Sequence, residues 1–428
     1  MNFGLFIKQR KCYTPQLKSF RTYSKIMKTF LTIYITAAIC IVSTAGHGHR
    51  HYNGWHGNRY SHSHGSGWSS GSTGWTSPSP PDTGDTRSLD QLYRLALAEG
   101  GNLIVYAGGD SAGQMDEIKA AFESRFPNIK AEMIVDFSKN HDVRIDRQLS
   151  EGKLIPDVTH LSSVHDFPRW KKEGVLLQYK PAGWDQVHPE FKDADGFFTG
   201  LVVVAFSNNI NRDLLGNNSA TWPTEANDYL RPSLKGKIVS EYPQEDDVAL
   251  FWFKKVVDKY GWSWLQKFVA NNPTFVRGAQ IPSEMVWDGV SSATFTTDGM
   301  MKPKETYPVQ FVLPKADPFV SFAQLGAIFK NAKHPAAAKL YLSWRLSYEM
   351  QNDVWYMWSV RKDVPVPEGY KGIFNYKGQT DPREFAEWME DRAAVERFRT
   401  QVTLIVGEMV GPSPPGNLGP YPAKALQH

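Results

Sequence analysis

Four clusters of residues in this 428-residue sequence have the types and spacing to do chemistry. Glu245, Asp246 and Asp247 set three carboxylates in a row, with Tyr242 just ahead of them. Such a group suits a cation, whether an amine or a metal ion, and a phenol ring nearby can stack on an organic cation. The same acids are also ordinary complements to a helix dipole. Gly108, Gly109, Asp110 and Ser111 make a turn whose backbone N–H groups, placed at a helix start, favour an anionic group. Ser162 and Ser163 offer hydroxyls to a ligand, or a cap to a helix. Finally, six of the twelve histidines (His47, His49, His51, His56, His62 and His64) are strewn through a Gly/Ser-rich stretch. They offer weak ligands to copper, nickel or zinc, but no Cys or carboxylate completes a site there, and a solvated linker explains them as well.

Catalytic constellations are missing. There is no HExxH, no P-loop Gly-Lys-Ser/Thr and no dinucleotide fingerprint. His141, His160, His165, His188 and His334 are scattered without metal-ligand spacing. No catalytic residue, cofactor or metal ligand is therefore assigned, and a binding protein is expected rather than an enzyme.

The elements that must position these clusters alternate strand with helix. Ser88 can cap a helix over 89–99, with Gln91 completing a capping box and Gly100 as stop. Leu103 to Tyr106 reads as a strand, followed by a helix with Met115, Ile118, Phe122 and Phe126 on one face. Residues 129–135 read as a strand, then a helix ends at Gly152 and a strand covers 157–160. This alternation predicts a parallel α/β sheet, whose ligands bind at loops beyond the C-terminal strand ends, here 107–112 and 161–165. Leu201 to Phe206 is a fully apolar strand. The pattern then restarts: strand 237–239, helices 246–260 and 262–271, strands 292–297 and 309–313. Residues 319–428 are expected to be mostly helical, including 382–399.

Composition bounds the setting. The length allows two ordinary domains, and 41% hydrophobic with 21% charged residues fits a soluble globular chain. Nine of the 48 bases and none of the 44 acids fall in residues 1–81, leaving 82–428 with a net charge of −5. A mildly acidic body argues against nucleic-acid binding. Residues 30–42 form an apolar run too short to span a bilayer, preceded by Lys25 and Lys28 and followed by Ser43-Thr44-Ala45. That predicts a signal peptide over 1–45, with Met27 as an alternative start, and a secreted protein, extracellular or periplasmic. A mitochondrial presequence is the alternative, since residues 1–29 are basic and acid-free. Cys40 follows Ile39, not the small residue a lipid-attachment site needs. Cys12 and Cys40, the only cysteines, would be removed with the leader, leaving no disulfide and no thiol nucleophile. Residues 46–87 read as a disordered arm. Asn217-Asn218-Ser219 is a glycosylation sequon.

Several blocks resemble one family. Lys330-Asn331-Ala332-Lys333-His334-Pro335-Ala336-Ala337-Ala338-Lys339-Leu340-Tyr341, Ser347 to Gln351, Val360-Arg361-Lys362-Asp363-Val364, Trp222-Pro223-Thr224 and Leu234-Lys235-Gly236-Lys237-Ile238 stand in its order and spacing. The sequence resembles the extracellular solute-binding proteins of the ferric-iron, putrescine, thiamine and phosphonate type, which serve bacterial ABC importers. The match covers roughly 100–370. It implies a type II periplasmic-binding-protein fold: two α/β lobes, each a mixed, mostly parallel sheet flanked by helices. Lobe 1 would be 88–205 plus 312–428 and lobe 2 206–311, with hinge strands near 200–208 and 308–313 and a ligand cleft between the lobes.

The resemblance implies that ligand contacts come from Gly109, Asp110, Ser111, Ser162 and Ser163 on one side, and from Tyr242, Asp246, Asp247, Phe295, Thr296 and Thr297 on the other. Thr294 to Asp298 stand where ferric-iron members carry adjacent tyrosines. Phe and Thr cannot replace phenolate oxygens, which argues against ferric iron held in the usual way. The enzyme of this fold that cleaves thiamine needs a cysteine, absent after residue 45. Trp252, Trp287, Trp355 and Trp358 are candidate pocket walls, or core. The expected ligand is a small hydrophilic molecule, with a cationic group if the acids face the cleft. The expected partner is a membrane importer, and the expected state a monomer. Rival readings are an orphan secreted or cell-surface protein with a vestigial cleft, or metal sequestration by the histidine arm.

Overall fold

The computed structural model describes residues 84–354, 357–414 and 419–422. The chain divides into two units, Met1–Pro81 and Asp82–His428, and the described residues all belong to the second. The expected leader with its start at Met27, the histidines of the arm, both cysteines and Trp355 lie outside the described residues. Order begins slightly before Ser88. The Asp85 carboxylate accepts from the Tyr179 hydroxyl at 2.8 Å, and the Asp85 N–H donates to Lys180 O at 2.8 Å. Residues 84–87 thus belong to the folded body and not to the arm. No helix among the described residues is long and apolar enough to cross a membrane.

The first helix, Leu89–Ala98, starts with the expected capping box: Ser88 Oγ accepts from Gln91 N and Gln91 Oε1 from Ser88 N. It leads into the strand β1 (Asn102–Gly108), which pairs in parallel with β2 (Lys130–Asp136) and β3 (Val158–Leu161). The helices Asp116–Arg125 and Ser138–Ser150 make the crossovers. Beyond β3 the pairing turns antiparallel. β3 meets β9 (Val320–Ile328), and β9 meets β4 (Thr199–Asn211). A strand at 320–328 overturns the expectation that everything after 319 is mostly helical. β9 is central and largely buried on both faces, so it shows no alternation that would reveal it in sequence.

β4 is the shared element. Its first part, Thr199–Phe206, pairs with β9, and its second, Ser207–Asn211, pairs with β7 (Ala293–Thr297) and β8 (Val309–Val312). β5 (Val239–Glu241) and β6 (Thr274–Val276) form a small parallel sheet, tied to β7 by a bridge between Ile238 and Ala293. The cores follow this division. One gathers Val105, Leu201, Val203, Tyr341 and Trp344. Another gathers Trp252, Phe253, Trp264, Phe268 and Phe295 around the helices Asp247–Tyr260 and Trp262–Ala270.

The C-terminal helices Glu384–Glu390 and Arg392–Val406 put Phe385, Met389, Val395 and Val402 into that second core. Phe385 also lies 4.7 Å from Phe322 of β9, ring centre to ring centre. The chain then returns. Arg277 donates to Gly411 O at 3.0 Å, Arg144 to Gly419 O at 2.7 Å and Gln148 to Pro420 O at 2.9 Å.

Candidate functional site

Two walls face each other where the segments after β2 and β3 meet the segment after β5. They enclose a small cavity lined by Phe137, Ser138, Lys139, Ser162, Ser163, Glu245, Asp246, Asp247 and Val248, with room for about one water molecule. Lys139 of the first wall donates its ammonium to Glu245 O of the second. Nearby, Gln280 N donates to Asp110 Oδ2 at 2.7 Å.

The first wall is built by close approach of backbone. A Cβ on Gly108 would sit 2.2 Å from Ser138 Oγ, so only glycine lets that helix start lie on the end of β1. Ser138 Oγ in turn accepts from Ser162 N at 2.9 Å, and Ser162 Oγ accepts from Gln324 Nε2 at 2.9 Å. Ser163 is 2% exposed and its Oγ has no partner. The amides expected to be loose in the Gly109 turn are engaged. Gly109 N donates to Asp136 O at 3.0 Å and Asp110 N to Gln114 Oε1 at 2.9 Å. No helix begins there, since Asp116 is the first helical residue. An anion therefore finds no free N–H at either position, and Gly109, Asp110 and Ser111 all stand behind the cavity lining, as does Glu241 of the second wall. The functional group this turn presents is the Asp110 carboxylate. It is 5% exposed, and burial with the charges of Asp246 and Asp298 pushes it up to about 7.

The second wall carries the acids, in roles that the row of three conceals. Asp246 caps the helix Asp247–Tyr260, accepting from Val248 N at 2.7 Å and Ala249 N at 3.0 Å. Asp247 pairs with Arg399 and lies 3.8 Å from Arg392. Glu245 is fully buried; Oε1 accepts from Arg277 Nε at 2.8 Å while Oε2 has no partner. Sequence reasoning missed Glu241, the last residue of β5. It is 0% exposed and neither carboxylate oxygen has a hydrogen-bond partner. Burial, then the charges of Asp246, Asp110 and Glu245, push its carboxyl well above the usual range, with Lys139 opposing. The available signal was an acid closing the strand Val239-Ser240-Glu241 beside an acid-rich loop.

The remaining expected contacts are structural. Phe295 is fully buried, stacked on Trp252 at 4.0 Å and edge-on to Tyr229 at 4.7 Å. Its ring is core, not cleft wall, because both faces of β7 are buried and its side chain falls on the face that meets the second core. Thr296 Oγ1 accepts from Glu241 N at 2.8 Å, so its hydroxyl holds the strand that carries Glu241. Thr297 is buried and pairs with Ser207 of β4. Tyr242 stacks on Phe275 at 5.5 Å and packs inward. Trp252 and Trp358 are buried in core, and Trp287 packs edge-on against Tyr307. His141 bonds Ile134 O at 3.0 Å and stacks on Tyr106, while His334 sits 2.9 Å from Asp157. The Asn217 side chain is exposed.

Residues 154–368, half of the chain, match the bacterial extracellular solute-binding proteins, and the chain belongs to that family. Members of this family form a binding-protein class, typically periplasmic or secreted, that takes small molecules to ABC importers. No curated protein matches the chain by sequence.

Solved structures share the fold. The periplasmic binding protein AfuA from Actinobacillus pleuropneumoniae, bound to fructose-6-phosphate, superposes with a TM-score of 0.57 at 18% identity, over 72% of this chain and 100% of that one. Iron-bound HitA from Pseudomonas aeruginosa gives 0.54 at 15% identity, over 70% and 99%. A periplasmic thiamin binding protein gives 0.55 at 18% identity, over 72% and 96%.

Proposed function

We propose that the chain is a solute receptor that closes over a small hydrophilic solute carrying a cationic group, and hands it to a membrane importer. The observation that carries this reading is Glu241: a fully buried carboxylate without a hydrogen-bond partner, in the field of Asp110, Glu245 and Asp246. Burial holds this acid in its neutral form, and a cation placed among these acids lets it ionise. The charge pattern also separates the ligands of the similar structures. Thiamine carries a fixed positive charge and suits this cleft. A sugar phosphate would meet acids, with Lys139 and Arg277 already engaged. Ferric iron would lack phenolate ligands at 294–298.

Hinge motion would use β4 and the stretch from β8 to β9, the two connections between the pairing partners described above. We also propose that 384–406 moves with the second lobe, because its apolar side chains complete that core.

A thermal-shift screen of the full chain tests the reading. The panel is thiamine, putrescine, spermidine, fructose 6-phosphate and ferric citrate. A cationic solute at 100 times its dissociation constant should stabilise by about 2.7 kcal/mol. A shift that vanishes in Glu241→Gln supports the reading. A shift from the sugar phosphate alone overturns it.

A further inference from the structure

A second cluster of buried acids lies away from Glu241, within the first wall. Asp142 belongs to the helix Ser138–Ser150, and Asp166 opens the helix Asp166–Lys172 with His165 just before it. One ligand atom from each of Asp142, His165 and Asp166 lies within 4.8 Å of the others. Asp142 is 8% and Asp166 3% exposed.

Polar atoms of this cluster are buried and left without partners. Asp166 Oδ1 is held by Arg169 Nη2 at 2.6 Å, while Oδ2 is buried without a hydrogen-bond partner. The Nδ1 atom of His165 is likewise buried without a hydrogen-bond partner, and Nε2 stands 3.8 Å from Asp166 Oδ2. Asp142 Oδ1 accepts from Val143 N, and the Asp142 carboxyl lies within hydrogen-bond reach of the Asp166 carboxyl. The surroundings hold these side chains in place. Arg169 is fixed by Asp146 at 2.9 Å, Asp146 by Trp170 Nε1 at 2.8 Å, and Asp166 N donates to Ser163 O at 3.2 Å.

Two carboxyls brought together out of water must share either a proton or a cation, and Arg169 meets only one of them. A divalent cation at the centre would take the place of that proton, neutralise both and draw in one nitrogen of the His165 ring. We propose that Asp142, His165 and Asp166 form a site for a divalent first-row metal ion, bound through two carboxylate oxygens and one imidazole nitrogen. The oxygen-rich set accepts the harder ions of the series, Mn²⁺ among them, and Arg169 acts as the outer partner that orients Asp166. The site does not depend on the solute proposed for the cleft, because none of its three residues lines that cavity.

Titration of the full chain with MnCl₂, following the free Mn²⁺ signal by electron paramagnetic resonance, tests the assignment. Mn²⁺ is chosen because a histidine arm without carboxylates holds it poorly. One saturable equivalent is expected, weakened at least ten-fold in Asp142→Asn and in Asp166→Asn. Uptake should persist in Glu241→Gln and in a chain with His47, His49, His51, His56, His62 and His64 all changed to Ala. Melting in EDTA checks the fold of each variant. If an Asn variant does not melt cooperatively, His165→Gln replaces it, with the same loss expected. The proposal is overturned by absence of saturable uptake, by uptake that these substitutions leave unchanged, or by uptake abolished in Glu241→Gln or the six-histidine variant.

Discussion

The two acid clusters differ in how they are held. Asp142 comes from one helix and His165 and Asp166 from the start of another, on one side of the cleft, with Asp166 held by Arg169 and Arg169 by Asp146. Asp110 and Glu241 belong to opposite walls, joined through Gln280 N and the Lys139 ammonium. A cluster within one wall keeps its geometry when the walls part. A cluster across two walls exists only when they meet. The first arrangement therefore suits a bare ion that binds without motion, and the second a solute whose charge repays closure.

The largest expected effect that sharpens this contrast comes from Asp110→Asn. The Asp110 carboxyl rises from 3.8 to about 7 on folding. As pH rises from the lower value to the higher, the unfolded chain ionises first and the folded state loses stability. Relief of that loss should stabilise the solute-free chain by up to about 4 kcal/mol at pH 8 and leave it unchanged near pH 3. Equal effects in denaturant melts at both pH values would remove the acid from the argument.

Removing a cation should act the other way. Arg277→Ala leaves the buried Glu245 without its arginine and should destabilise by about 2 kcal/mol at pH 8. A null result there would mean that Lys139 alone balances the spanning cluster. Thr296→Val removes the acceptor of Glu241 N and should cost about 1 kcal/mol. Ser163→Ala, whose hydroxyl is unpartnered, should change stability by no more than about 0.5 kcal/mol.

Local pattern made much of this architecture legible. The capping box at Ser88 and the strands β1 to β4 follow from capping and apolar runs read in place. β9 did not, because a central strand buried on both faces carries no period. The site was legible as loops but not as roles. The row Glu245-Asp246-Asp247 announced charge near the cleft, yet its partners Arg277, Arg392 and Arg399 come from distant segments, and spacing cannot pair them. Phe295 stands where the resemblance implies a ligand contact, but its ring is taken up by Trp252 and Tyr229, which come from segments that spacing cannot pair with it. His165 looked scattered because the oxygens beside it include one from Asp142, 23 positions earlier in the chain.

The central claim is that the spanning acids receive a cation. Calorimetric titration of the full chain and of Glu241→Gln with thiamine, putrescine and spermidine, at pH 6 and pH 8, tests it most directly. Protonated acids must ionise to hold a cation, so at least one of the three should bind about ten-fold or more tightly at pH 8, with protons released to the buffer. The same solute should lose about 30-fold or more in Glu241→Gln, roughly 2 kcal/mol. Binding that is independent of pH and unchanged in Glu241→Gln, or no binding of any cation beside firm binding of fructose 6-phosphate, would contradict it.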